Sequence, residues 1–324
     1  MSAWNLGRPL LTADLYIYAA LALTATLCAV LGANNFSTCL GASLGAGIVR
    51  LSNAALIASA GILLGTLLEG QKLSNVLGGG ILAALPASGL VAILASSLLV
   101  MTTVTLFRLP ISLSQVMVGA AWGFALSTRL QVDAAYSAQV VASWILSPAL
   151  AFVISAIIES AVLRVARKAN DVLTLNRLYA VLTLLAGFYA AYTLGANTLG
   201  LVVGLFPASV GGYSLLSLAF SVCTILGLVF LSTGTVRSVA DNLVGLNPST
   251  ALSAQFGGAI SVHLFTQVGL PVSISQVVIG GMSGAASVKR IAITNKRIIQ
   301  QIIAGWTIGP VAGAAISFLL TQII

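Results

Sequence analysis

The chain has 324 residues, of which 59% are hydrophobic and only 6% are charged, and its mean hydropathy is +1.08. Soluble domains carry about 25% charged residues, so this chain cannot build an ordinary water-facing surface, and its composition indicates a protein of the lipid bilayer. The net charge of +8 does not indicate a nucleic-acid partner, because the basic residues lie between apolar segments, where membrane topology accounts for them.

Ten apolar segments follow one another in two groups of five, within charge-free stretches long enough for the roughly 20 residues of a spanning helix. In chain order, the sequence predicts helices over residues 15–33, 53–68, 88–107, 111–128, 134–158, 178–195, 213–231, 249–268, 272–288 and 298–321. In each group only a short turn with a Leu-Pro step joins the third and fourth segments. Such a pair is typical of a re-entrant helical hairpin, although two full crossings also fit the sequence.

Three motifs recur at a nearly constant spacing. Residues 109–119 return as residues 270–280 at an offset of 161, and Leu-Gly-Ala-Asn returns from 31–34 to 194–197 at an offset of 163. Trp144 and Pro148 return as Trp306 and Pro310 at an offset of 162. The chain is therefore predicted to contain a first repeat over 1–160, a basic connecting loop over 161–177 and a second repeat over 178–324.

Each repeat contains an odd number of crossings, whether its hairpin crosses the membrane or re-enters. The halves should then lie in opposite orientations, which is the inverted-repeat design of many secondary transporters. The positive-inside rule makes the side with the basic loops cytoplasmic and puts both termini outside. The prediction is an all-α, multi-pass protein of the plasma membrane. Eight of its 14 basic residues lie in the two loops on the cytoplasmic side: Arg164, Arg167, Lys168, Arg177, Lys289, Arg290, Lys296 and Arg297.

The Leu-Pro turns are followed by polar residues in mid-membrane. Pro110 and Pro271 are expected to begin the second arm of each hairpin, because proline suits the first position of a helix. The free N–H groups of a first helical turn, at the positive end of the helix dipole, form a ready anion site. The alternative is a pair of helix caps without a ligand. The candidate substrate-binding side chains of these two turns are Ser112, Ser114, Gln115, Ser273, Ser275 and Gln276.

A second pair of polar sites follows the repeated Gly-Ala-Asn motif. Asn34 and Asn35 in the first half, and Asn197 and Thr198 in the second, are predicted to line a break in a membrane helix. Irregular polar backbone at this depth is tolerated where it lines a cavity, so these side chains are also candidates for substrate binding. The alternative is an asparagine that only hydrogen bonds neighbouring helices.

Four further side chains are candidates for charge or coupling roles. Arg108, whose matched position is Gly269, either supplies a fixed positive charge to the anion or reaches the aqueous mouth. His263 is the only histidine and either takes up a coupling proton or packs within its helix. Ser37 and Thr38 could add neutral oxygens for a coupling cation. No catalytic or metal-ligating pattern is present, so we expect no enzymatic activity and no cofactor beyond a co-transported Na+ or H+.

At these motifs the chain resembles the inorganic phosphate transporter (PiT) family, which also includes sulfate permeases. Gly32, Ala33 and Asn34, with their second copy at 195–197, match the Gly-Ala-Asn-Asp signature of that family, and residues 271–273 match its Pro-Val-Ser hairpin turn. The resemblance extends over nearly the whole chain. It implies an inverted-repeat fold, two re-entrant hairpins, a central oxyanion site and a homodimer in the bilayer.

The departures from the family pattern bear on the substrate. The signature aspartate is replaced by Asn35 and Thr198, and the hairpin histidine by Gln115 and Gln276. Phosphate near neutral pH keeps a P–OH group that can donate a hydrogen bond to a carboxylate, whereas sulfate only accepts hydrogen bonds. The missing acids therefore favour sulfate for an alternating-access permease. Cation-coupled phosphate transport is the alternative. An anion channel fits less well, because the polar residues are concentrated at four places instead of along continuous stripes.

Overall fold

The computed structural model describes residues 8–45, 51–107, 111–168, 171–232, 248–290 and 296–324. In these ranges the main elements are all α-helices. The first half contains α1 (Arg8–Gly45), α2 (Leu51–Glu69), α3 (Ala87–Leu106), α4 (Leu113–Thr128) and α5 (Ala134–Lys168). The second half contains α6 (Val172–Thr193), α7 (Tyr213–Leu231), α8 (Pro248–Gln267), α9 (Ile274–Val288) and α10 (Lys296–Thr321).

Each of the ten predicted segments is helical, but several helices are longer than their apolar cores. The connecting loop predicted over 161–177 is wrong for most of its length, because α5 runs to Lys168 and α6 begins at Val172. Hydropathy locates the membrane span, whereas Arg and Lys are good helix formers that extend a helix beyond it. Asp171 caps α6, and hydrogen bonds from the Thr174 hydroxyl and the Leu173 and Thr174 amides hold its pKa below the ordinary value.

The length and apolar character of the helices confirm a multi-pass membrane protein. Six described helical stretches are long and apolar enough to cross a bilayer, and they lie in α1, α2, α3, α5, α6 and α7. Large apolar side chains such as Leu56, Ile145 and Phe230 are about 70% exposed on the outer surface. A surface of this kind suits lipid, which does not penalise exposed apolar groups as water does.

The helix breaks predicted at the Gly-Ala-Asn motifs are not present as breaks. α1 continues as a regular helix through Asn34 and Asn35, and in the second copy α6 continues through one π-helical turn, Leu194–Leu199. The glycines serve close packing instead. A Cβ on Gly32 would collide with the backbone of Thr224 in α7, and one on Gly195 with the backbone of Ile62 in α2.

Contacts between the halves occur in matched pairs. α4 packs on α10 where Gly119 meets the Pro310 carbonyl, and α9 packs on α5 where Gly280 meets the Pro148 carbonyl. In the same way, α1 packs on α7 and α6 packs on α2. Small residues let membrane helices approach this closely. The halves are therefore interlocked, and the repeated proline of α5 and α10 belongs to this packing.

A buried ion pair joins three helices at one end of the bundle. The Glu159 carboxylate of α5 is fully buried, 2.9 Å from the Lys289 ammonium at the end of α9. Ser249 and Ser253 of α8 also donate hydrogen bonds to this carboxylate, at 2.9 and 2.7 Å. Lys289 in turn donates to the hydroxyls of Ser249 and Thr250. A buried charge pair needs such additional partners to offset its lost hydration.

Candidate functional site

Two short turns connect the hairpin helices, and each ends in a serine at the N-cap position of the second arm. The first hairpin turn comprises residues 107–112 between α3 and α4, of which 107, 111 and 112 are described, and the second comprises residues 268–273 between α8 and α9. α4 begins after Ser112 and α9 begins after Ser273. Pro271 therefore precedes the cap of α9 instead of starting the helix, which corrects the prediction, and Pro110 lies outside the described residues. The Ser273 hydroxyl accepts a hydrogen bond from the backbone N–H of Gln276 at 3.3 Å.

The predicted serines of the two turns lie close together. The hydroxyls of Ser112 and Ser114 are 3.0 Å apart, and those of Ser273 and Ser275 are 3.1 Å apart. The Ser114 hydroxyl also donates a 3.0 Å hydrogen bond to the Val272 carbonyl of the other half. This bond joins the start of α4 to the second hairpin turn, so the two groups of serines belong to one candidate site.

The glutamines of this site are buried with an unpartnered oxygen. Gln115 and Gln276 occupy matched positions in the first turns of α4 and α9, and each is 1% exposed. The side-chain carbonyl oxygen of each has no hydrogen-bond partner among the described residues. A buried acceptor without a partner is destabilising by about 1–3 kcal/mol. A bound ligand that supplies a hydrogen-bond donor or a positive charge would therefore stabilise these glutamine oxygens.

Asn197 holds the second hairpin turn. Its amide nitrogen donates to the Thr266 hydroxyl at 2.9 Å and to the Leu270 carbonyl at 3.1 Å, and its oxygen accepts from the Val272 amide at 3.1 Å. Both amide protons are therefore used within the protein. In the first half, Asn34 donates to Thr105 at 3.0 Å in the matching way. The two threonines were missed from the sequence, although they are separated by the repeat offset of 161.

Two aromatic residues of α5 also hold the second hairpin turn. The Trp144 indole N–H donates to the Pro271 carbonyl at 3.1 Å, and the Tyr136 hydroxyl donates to the Gly269 carbonyl at 3.1 Å. Gly269 adopts a φ of +71°, a left-handed conformation that glycine allows and that ends α8. The repeated tryptophan motif was visible in the sequence, but nothing in the sequence connected it to the turn.

The remaining predicted residues lie outside this hydrogen-bonded group. The Asn35 amide donates to the Leu31 carbonyl in its own helix at 3.1 Å. Thr198 is buried in the π-helical turn, and Thr38 is half-buried in α1. Arg108 and the side chain of Ser37 lie outside the described residues.

His263 lies away from the serines, in a polar group that we call the His263 cluster: Glu69, Lys72, Tyr192, His263 and Gln267. The His263 Nε2 atom is 3.6 Å from the Glu69 carboxylate and 2.7 Å from the Gln267 amide nitrogen. The rings of Tyr189 and Tyr192 lie 5.6 and 6.1 Å from the imidazole. No sequence signal singled out Glu69, because it stands at the end of an apolar segment where charged residues are common.

The hairpin site has the chemistry of an anion site built from neutral groups. It combines two helix N-termini, serine hydroxyls and two glutamine amides, with no carboxylate hydrogen bonded to these groups among the described residues. The N-terminal ends of α4 and α9 supply partial positive charge in a buried setting, where electrostatic interactions are strong. The two unpartnered glutamine oxygens add acceptors, so the site as described is not the purely donating one expected for sulfate. No group of His, Cys, Asp or Glu among the described residues is arranged to hold a metal ion.

Known proteins resemble this chain over most of its length. Residues 31–317 match the model of the phosphate transporter family. The chain is 28% identical over 322 residues to a Methanocaldococcus jannaschii protein named "Putative phosphate permease", covering 97% of this chain and all of that one. It is 23% identical over 301 residues to the sulfate permease CysP of Bacillus subtilis, covering 90% of this chain and 84% of that one.

A solved structure has the same fold. This structure is of a protein described as the sodium-dependent phosphate transporter. It superposes on the present chain with a TM-score of 0.84 at 20% sequence identity, and the match covers 95% of this chain and 98% of that one. The match to the family model over residues 31–317 shows that the chain belongs to the phosphate transporter family.

Proposed function

We propose that this protein is a secondary transporter that moves a tetrahedral inorganic oxyanion across the membrane, with phosphate as its first substrate. The observation that carries the proposal is the pair of hairpin turns joined by the hydrogen bond from Ser114 to Val272. The bond brings two helix N-termini and two buried glutamines, Gln115 and Gln276, into one site between the halves. Substrate sites of many secondary transporters lie at such repeat interfaces.

The unpartnered glutamine oxygens favour phosphate. Monohydrogen phosphate offers one O–H donor that a buried amide oxygen accepts, and its other oxygens accept from the Ser275 hydroxyl and the first-turn N–H groups. Sulfate offers no such donor and leaves both oxygens of Gln115 and Gln276 without a partner. This argument reverses the preference drawn from the missing aspartates, because the amide oxygens can act as acceptors in place of a carboxylate.

Sulfate is the second candidate. No acidic side chain hydrogen bonds to the hairpin groups among the described residues, and a site without a carboxylate does not repel a fully ionised divalent anion. The similarity to a sulfate permease over 84% of that relative's length also supports this candidate.

The proposed mechanism is alternating access, in which the interlocked halves rock about a fixed site in the bilayer. The matched Gly119–Pro310 and Gly280–Pro148 contacts support an inverted repeat with two re-entrant hairpins, because each half repeats the packing of the other. The Tyr16 hydroxyl donates to the Ile324 carbonyl at 3.2 Å, so the start of α1 and the end of α10 lie together. By the positive-inside rule, this end faces outward in the plasma membrane. A homodimer, as the family resemblance implies, completes the proposal.

Inward transport requires a driving ion. Moving a divalent anion into a cell against 100 mV costs about 4.6 kcal/mol, at about 2.3 kcal/mol per charge. We propose co-transport of Na+ or H+. Neutral oxygens of Asn34, Asn35, Ser37 and Thr38 are the candidates for holding Na+, and His263 is the candidate for taking up H+.

Anion binding by paired serine and glutamine variants tests the proposal. Purified protein in detergent is titrated with labelled phosphate and with labelled sulfate. We expect Ser114→Ala with Ser275→Ala, and Gln115→Leu with Gln276→Leu, to weaken binding by about 100-fold. The reason is that a hydrogen bond to a charged group contributes about 1.5–3 kcal/mol, and 1.4 kcal/mol is tenfold in affinity.

Ser221→Ala is the control, because this serine of α7 is buried, its hydroxyl has no hydrogen-bond partner among the described residues, and it lies outside the hairpin turns. The control should bind phosphate as the wild type does. Unchanged binding in both paired variants, with the protein still folded, would overturn the assignment of the site.

A further inference from the structure

The His263 cluster connects the second hairpin turn to the end of α2. Gln267 is the last residue of α8, and its side-chain oxygen accepts a hydrogen bond from Lys72, which follows α2. Its amide nitrogen donates to the Glu69 carboxylate at 2.7 Å. The turn also packs directly on this segment, since a Cβ on Gly269 would lie 3.2 Å from the Lys72 carbonyl.

These contacts indicate which ring nitrogen of His263 accepts a hydrogen bond. Because the Gln267 oxygen faces Lys72, its amide nitrogen must face His263 at 2.7 Å. An amide nitrogen only donates hydrogen bonds, so the His263 Nε2 atom has to accept. In this conformation the ring proton therefore lies on Nδ1, which is buried without a hydrogen-bond partner among the described residues.

A proton on Nε2 would set two donors against each other. The Gln267 amide would then have to turn away, and its hydrogen bond with Lys72 would be lost. The imidazolium would instead form an ion pair with the Glu69 carboxylate, which now lies 3.6 Å away. The His263 and Glu69 side chains are 25% and 20% exposed on the surface of the helix bundle.

The ionisable groups around His263 come from three sides. Glu69 and Lys72 face it from the end of α2, and Tyr189 and Tyr192 face it from α6. Tyr136 of α5 contacts the turn at Gly269. The Glu159–Lys289 pair lies at the other end of α8, where it contacts Ser253, ten residues or roughly 15 Å along the helix.

From this geometry we propose that His263, together with Glu69, is a proton-binding site whose occupancy releases the end of α8, which leads into the second hairpin turn, from Lys72. The inference rests on the proposed function for its purpose, because the released turn carries Ser273 and leads to Gln276 of the anion site. Uptake of a proton at His263 thereby makes this side of the anion site more mobile. Release of the proton restores the contact between Lys72 and Gln267.

Hydrogen exchange of the turn tests this mechanism without relying on transport. The wild type and His263→Gln are compared at equal pH, from about pH 5 to pH 8, so that the intrinsic pH dependence of exchange cancels. Gln at 263 keeps an acceptor toward Gln267 but cannot be protonated. We expect the peptide covering 265–273 to exchange at least about tenfold faster in the wild type at the acid end, and equally in both proteins at the alkaline end. A peptide within α7 should exchange equally in both proteins throughout.

A second variant and a spectrum complete the test. Gln267→Leu removes the contact with Lys72 and should make the turn exchange rapidly at every pH. Since His263 is the only histidine, a spectrum of protein labelled in its histidine nitrogens should show the Nδ1–H form at alkaline pH. Equal exchange in the wild type and His263→Gln at every pH, slow exchange in Gln267→Leu, or an Nε2–H form would each overturn the proposal. Failure of wild-type protein to bind phosphate or sulfate would instead overturn the proposed function and leave the exchange result standing.

Discussion

At the scale of single residues, the duplicated polar side chains divide into those that hold the turns and those that are free to bind. Asn197 uses both amide protons on Thr266 and Leu270. Gln276 and its counterpart Gln115 keep a buried oxygen without a partner among the described residues. The sequence predicted both kinds as binding residues, because recurrence at the repeat offset marks a side chain as required but does not say what it contacts.

The glutamine oxygens should set the choice between oxyanions. Gln276→Glu replaces an amide with a carboxylate, which accepts a hydrogen bond from the P–OH group of phosphate and repels sulfate. We expect the ratio of phosphate to sulfate affinity to rise by about tenfold or more, which corresponds to about 1.4 kcal/mol. Competition binding with the two labelled anions measures this ratio.

The control for that substitution is Gln139→Glu, which adds the same charge at an exposed position of α5. It should leave the ratio unchanged. A ratio that falls in Gln276→Glu, or that rises equally in the control, would contradict the acceptor role of this glutamine.

At the scale of helices, the positions of the ten apolar segments could be predicted because hydropathy and charge-free length mark a span directly. The helix ends could not be predicted, since α5 and α6 continue into charged sequence. The cross-half bond from Ser114 to Val272 was equally invisible, because it joins residues 158 positions apart that no local pattern relates. The uninterrupted α1 at Gly32 shows that a glycine in a membrane helix can serve packing alone.

The ion pair that joins α5 to α8 and α9 gives a prediction at this scale. Glu159→Gln leaves the Lys289 ammonium, whose side chain is 15% exposed, without its counter-charge. Breaking a buried pair in this way destabilises a protein by about 3–5 kcal/mol, whereas replacing both partners with apolar residues is often neutral. Thermal unfolding of the purified protein should therefore show a large loss of Tm in Glu159→Gln.

The double variant Glu159→Leu with Lys289→Met provides the comparison. Its Tm should lie much closer to the wild type than that of the single variant. Equal losses in the two proteins would mean that hydrogen bonds to Ser249 and Ser253, and not the uncompensated charge, account for the effect.

At the scale of the whole molecule, the nearly constant offset between motifs predicted that equivalent helices of the two halves would make equivalent contacts. The Gly119–Pro310 and Gly280–Pro148 contacts are such a pair. The His263 cluster and the Glu159–Lys289 pair, by contrast, join groups for which the repeat offset gives no matching copy in the sequence. Such departures from internal symmetry allow the two halves of a duplicated transporter to behave differently. They could not be predicted from the sequence, because they depend on which helices pack together.

The most direct test of the central claim is uptake of labelled phosphate and sulfate into liposomes that contain the purified protein. Imposed Na+ and H+ gradients are applied separately, and Ser114→Ala with Ser275→Ala serves as the site variant. We predict phosphate uptake that one of the two gradients stimulates, that excess unlabelled phosphate blocks more strongly than excess sulfate, and that the variant largely loses. Folded protein that takes up neither anion under either gradient, or a variant that transports as the wild type does, would contradict the claim.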